Sequence, residues 1–151
     1  MAVQTDYNAN LAPAVAGAQA TMVPATIISR NVEDADGIGF GVAVSQGDGD
    51  KGVTEGGAEF VGITLLDRSA AGEGDTFRQG DSARVMTKGD IWVAAAAAVA
   101  AGDAVYVTAA GAFTNDGGDD GDGNPENAQI NGARWDTSTT AAGQLAVIRL
   151  G

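Results

Sequence analysis

Carboxylates and glycines carry almost all of the chemistry that this 151-residue chain could attempt. The densest group lies at residues 115–127, NDGGDDGDGNPEN, with five acids and no base. Asp120, Asp122 and Asn124 fall at a spacing of two, as the first three ligands of an EF-hand calcium loop do. That loop needs glycine at position six and a bidentate glutamate at position twelve, where this chain has Pro125 and Asn131. The motif is broken, so a solvated hairpin tip is expected and no metal site. Gly37, Gly39 and Gly41 suggest a phosphate loop, but no Lys-Ser/Thr pair follows and no helix is expected there. Neither His nor Cys occurs, which removes zinc sites, Ser-His-Asp triads, histidine acid–base chemistry and disulfides. A glycosidase needs two carboxyls held in one cleft, whereas nearly every acid here lies in a Gly-rich loop or beside a turn. The expectation is a non-enzyme with no catalytic residue and no cofactor.

The charge narrows the partners. Twenty acidic and eight basic residues leave a net charge of −12. Such a field repels nucleic acid and anionic lipid, so direct contact with either is not expected. No apolar run approaches the roughly 18 residues of a membrane span. The N-terminus has no basic region ahead of an apolar one, so no Sec signal peptide is expected.

A scaffold of strands must position whatever function remains. At 151 residues the chain fits one domain, and a compact domain of this size buries roughly 70% of its unfolded surface. Glycine, at 23 of 151 residues, is about twice its average usage, which points to short strands and many turns. The organising stretch is residues 82–114. Residues 84–88 and 90–93 alternate at period two around Gly89, and residues 103–108 alternate again before turning into residues 112–114. These read as consecutive antiparallel strands, with Val85, Ile91, Val93, Val105 and Val107 as core. The Ala-rich run 94–101 is too short for a stable isolated helix; the strand is expected to reach about Ala95 and give way to a short turn of helix or an irregular connection that stops at Gly102. Further strands are expected at 25–30, 38–44, 59–66 and 144–150. Residues 45–57 and 67–80 read as loops. In residues 38–44 the even positions are large and the odd ones Gly, Gly and Ala, so the small face suits close approach by another strand or subunit.

Residues 1–24 behave differently. Residues 1–31 hold only Asp6 and Arg30 as charges, and a solvated tail is normally more charged. The expected organisation is an extended N-terminal arm over 1–24 and a single β-domain over 25–151. The arm is expected to order against a neighbouring subunit or partner through Tyr7, Leu11, Pro13, Val15 and Met22. Trp135, beside Arg134, is either a stacked pair at an interface or a core residue.

Taken in order, LAPAVAGAQA, FVGITLLD, DSARVMTKGDIWV, AVAAGDAVYVTAAGAFTN and NGARWDTSTTAAGQLAVIRL resemble the capsid cement, or decoration, proteins of tailed bacteriophages. The resemblance covers most of the chain and rests on the order and spacing of the pieces. It implies an all-β fold, a small antiparallel barrel or sandwich that is β-tulip-like, as in the lambda head-decoration protein, or jelly-roll-like. It further implies a structural protein made in the host bacterial cytoplasm and placed on the outer surface of the virion's capsid. Its partners would be the major capsid protein and further copies of itself, a trimer being favoured over a dimer. The competing expectation is a glycan- or host-surface-binding module with Trp92, Tyr106 or Trp135 as stacking platforms.

Overall fold

The computed structural model describes residues 14–70 and 76–151. Every regular element in them is a strand, as expected for an all-β protein. The strands are β1 (Thr26–Val32), β2 (Ile38–Gly39), β3 (Ala43–Gln46), β4 (Gly52–Glu55), β5 (Phe60–Thr64) and β6 (Thr76–Phe77). They continue with β7 (Ser82–Ala94), β8 (Ala104–Val107), β9 (Phe113–Thr114), β10 (Ala128–Trp135) and β11 (Leu145–Leu150). Neighbours run β1-β4-β3-β5-β7-β11-β10-β8-β9, and β1 also pairs with β7. The strands β1, β4, β3, β5 and β7 therefore close a ring, which removes most sheet edges. A second ring, β7-β11-β10-β8-β9, is closed by the parallel bridge between Ala95 and Phe113.

β7 belongs to both rings. The two strands expected on either side of Gly89 are one continuous 13-residue strand, and Gly89 does not turn the chain. Its φ of 126° is combined with a site where a Cβ would stand 2.9 Å from Ala25 Cβ. The glycine is needed for close approach, the second meaning that a strand glycine can carry. A β-bulge lies nearby, opposite the Thr26/Ile27 step, where the partner of Thr26 is Lys88 and that of Ile27 is Met86. One extra residue reverses which face each later side chain takes. Ala83 and Val85 thus fill one core, with Val32, Ile38, Val44, Val53 and Phe77. Met86, Ile91 and Val93 fill the other, with Val105, Val107, Phe113, Ile130, Trp135 and Ile148. All five expected core residues are buried.

Two expected loops contain strands. Residues 45–57 hold the end of β3 and all of β4, paired as a hairpin through Ser45 and Thr54. The Glu33 carboxylate orders its tip, accepting from the amides of Asp48 at 2.7 Å and Gly49 at 2.9 Å. Residues 67–80 hold β6, which pairs with β2. The strand expected over 38–44 is split into β2 and β3 by a turn at Phe40–Gly41. The Ala-rich run contains no helix and is an irregular connection with a turn at residues 101–102.

Candidate functional site

Residues 16–21 of the expected arm lie against the β-domain. The Gly17 amide donates to Trp92 O at 2.8 Å, Trp92 N to Ala18 O at 2.9 Å, and Ala20 N to Asp90 O at 2.9 Å. Gln19 and Ile91 form an antiparallel bridge. These contacts continue, along the same edge of β7, the pairing that β1 makes with residues 82–88. Between the two paired runs the chain steps out at residues 21–25, and Met22 at that step is fully exposed.

Glycine makes this seat possible. Gly17 has a φ of 85°, and a Cβ there would stand 2.8 Å from Leu66 N and 2.9 Å from Gly41 N. A Cβ on Gly41 would in turn meet Gly17 N at 2.6 Å. Of the small residues read at positions 39, 41 and 43, Gly41 is thus approached closely by residues 16–17 of the same chain, and Gly39 is not.

A polar anchor holds the other end. Asp90 is buried, at 0% exposure, and its carboxylate accepts from Arg149 Nε at 2.8 Å and Arg149 Nη2 at 2.9 Å. Thr21 Oγ1 donates to Asp90 Oδ2 at 2.7 Å, and Arg149 also reaches Asp136 Oδ2 at 3.4 Å. A two-pronged guanidinium–carboxylate contact is the strong form of this interaction. The Arg149 hydrogen bonds, helped by that from Thr21 and opposed by burial, hold the Asp90 carboxyl below its ordinary value. This anchor was not among the expected site residues. Its trace in the sequence is a charge beside an apolar run in each of two strands, Asp90 before Ile91-Trp92-Val93 in β7 and Arg149 after Ala146-Val147-Ile148 in β11.

Four large apolar side chains are exposed among the described residues: Val15 at 51%, Met22 at 100%, Val23 at 38% and Ile27 at 37%. All four fall within 13 consecutive positions on a chain of 151. Val15 and Met22 were expected contact residues and are exposed; Val23 and Ile27 were missed, although they share the same charge-free stretch. Tyr7, Leu11 and Pro13 lie outside the described residues.

Trp135 is not at a surface. It has 0% exposure and packs in the β7–β11–β10 core, so its expected place at an interface, or as a sugar platform, is corrected to core packing. Trp92 and Tyr106 are half-buried. A Cβ on Gly117 would meet the Tyr106 ring at 3.2 Å, so this ring is flanked by the neck of the acidic loop.

In residues 118–126 every side chain is exposed, and the carboxylates fold back on their own backbone. Asp119 Oδ1 accepts from the amides of Gly121 and Gly123, and Asp120 Oδ1 from those of Asp122 and Asn124. These amide hydrogen bonds lower the Asp120 pKa. The spacing of two that resembles a calcium loop is here used to build turns. Among the described residues no helix is long and apolar enough to cross a membrane.

No curated protein matches the chain. A chain of the capsid of Myoviridae phage XM1 superposes with a TM-score of 0.75 at 16% identity, covering 100% of this chain and 98% of that one. That similarity establishes a shared fold. The N base of head fibre gp8.5 of bacteriophage phi29 superposes at a TM-score of 0.46 and 11% identity, over 85% of this chain and 95% of that one. This second similarity is too distant to carry an argument. The family model for the phage structural cement protein (E217 gp24/Pam3 gp6) matches residues 3–151. The chain belongs to the structural cement proteins of phage capsids.

Proposed function

We propose that this protein binds the outer surface of the phage head and bridges major capsid protein subunits through residues 15–27. The observation that carries this reading is that, among the described residues, all four exposed large apolar side chains fall in that one segment. Scattered exposed apolar residues are ordinary on a protein surface, whereas a contiguous group marks a contact site. The segment is also free of acids, on a molecule whose net charge is −12. An acidic coat disfavours the DNA side of the shell and favours the outside. Repetition over symmetry-related positions supplies affinity that one small patch lacks, and self-association of the protein on the shell would add to it.

The test uses heads of a phage that lacks this protein. The pair Met22→Ser and Val23→Ser should leave the fold intact, since both side chains are exposed, and should reduce co-sedimentation with heads at least tenfold. Undiminished binding by that pair would overturn the assignment of the segment. Deletion of residues 1–24 is a poorer test, because it also strips the backbone pairing of residues 17–20 from β7.

A further inference from the structure

We infer that the outer edge of β1 adds one strand from the capsid partner, so that cementing includes main-chain pairing beyond apolar contact. The inference rests on the capsid-binding reading above. Among the described residues, β1 has a strand against only one of its edges for most of its length. Residues 26–31 pair with β7 on one side, but β4 reaches the other side only at Asn31 and Val32. The direction of each residue follows from one bond. Asn31 N donates to Lys51 O, away from β7, so by strand alternation Ser29 and Ile27 also turn their N–H and C=O groups outward. Outward groups without a neighbouring strand are a template for strand addition.

The side chains agree with such use. Ile27 is one of the four exposed large apolar residues, and Ser29 and Asn31 are exposed on the same face. The edge has no proline, no lysine and no acid within residues 26–32, which leaves Arg30 as its one charged residue.

Charge complementarity selects the partner. Arg30 is the only charged residue between Asp6 and Glu33. Its Nε is buried with no hydrogen-bond partner among the described residues, while Nη1 folds back on Ser29 O at 3.0 Å. A buried guanidinium nitrogen lacking an acceptor is costly. The occupant that complements this lone positive charge is an extended segment of the shell protein carrying a carboxylate next to its paired residues. A second copy of β1 would instead set Arg30 near another Arg30, between two molecules of net charge −12.

Ser29→Pro separates these possibilities. The Ser29 amide points away from β7, so proline removes no β1–β7 ladder bond among the described residues, and proline is tolerated at such edge positions. The probe is again the phage head lacking this protein. Expected results are an unchanged Tm, at least a tenfold loss of co-sedimentation, and slowed hydrogen exchange at the Ile27 and Ser29 amides when wild-type protein sits on heads. Exchange on wild-type protein keeps the test decisive if Ser29→Pro fails to fold. Wild-type binding with both amides exchanging freely would overturn strand addition and leave the cement reading standing. Failure of wild-type protein to bind heads would overturn both. A shift of Ser29→Pro to a smaller species in sedimentation, with head binding intact, would assign the edge to copy–copy pairing and overturn the partner named here.

Discussion

Thr21 Oγ1 donates to Asp90 Oδ2 at 2.7 Å across 69 positions of sequence, placing an exposed segment on a buried ion pair. Arg149 is the third member, and its side chain is 37% exposed while Asp90 is enclosed. The pair is therefore asymmetric, and so are its expected mutational costs. Arg149→Ala leaves a buried carboxylate with only a hydroxyl and should cost about 2–3 kcal/mol, below the fully buried range because the arginine is partly solvated. Asp90→Asn keeps an acceptor for Thr21 and should cost about 1 kcal/mol. Urea unfolding of the two variants checks the order.

The same pair sets a pH dependence. The folded-state Asp90 pKa lies below its ordinary 3.8, chiefly through the Arg149 hydrogen bonds. A depressed carboxyl pKa stabilises the fold at pH above the unfolded value and loses that contribution as pH falls through the folded one. The stability gap between wild type and Asp90→Asn should thus be constant from neutral pH to about pH 5 and close in stronger acid. A gap that widens on acidification would contradict the pairing.

Two glycines with nearly equal φ should respond differently to alanine. Gly17 at 85° is crowded by Leu66 N, Gly41 N and Phe40 Cβ, all within 2.9 Å of a built Cβ, whereas Gly143 at 83° faces open space. Gly143→Ala carries only the left-handed backbone cost of about 1 kcal/mol. Gly17→Ala adds a clash against backbone and should unseat residues 16–21. Limited proteolysis should then cut within residues 14–25 in Gly17→Ala but not in Gly143→Ala.

Trp135 is enclosed, yet its indole Nε1 has no hydrogen-bond partner among the described residues. Trp135→Ala should cost about 3–5 kcal/mol through the cavity it opens. Trp135→Phe removes an unsatisfied donor as well as volume, so its cost should fall to about 1–2 kcal/mol. Thermal unfolding of the two variants measures the difference.

Much of the core and the strand content could be read locally, from alternation in β7 and from the short apolar runs of β8 and β11. The continuity of β7 could not. Gly89 marks a turn by residue type, and only the proximity of Ala25, 64 positions away, shows that it serves close approach. The hairpin of β3 and β4 was hidden for a related reason. Its glycines are set by the Glu33 carboxylate, which a Cβ on Gly52 would strike, and no local pattern records that contact. At the candidate site, Val15 and Met22 were legible as apolar residues in a charge-free stretch. The seat of residues 16–21 on β7 depends on tertiary backbone pairing and left no periodicity to read.

The acidic loop should be dispensable. Its neck is closed by Asn127 N donating to Gly117 O at 2.8 Å, and residues 118–126 are exposed. Replacing those residues with a two-residue Asn-Gly turn should leave Tm within a few degrees and head binding unchanged. A loss of binding would move the contact surface to this loop.

The most direct measurement is an electron-microscopy reconstruction of the virion head. The expected result is a β-domain on the outer face of the shell, with Val15, Met22, Val23 and Ile27 against the major capsid protein and residues 118–126 facing solvent. A β-domain on the inner face, or on the outer face with residues 15–27 turned to solvent, would contradict the proposed function.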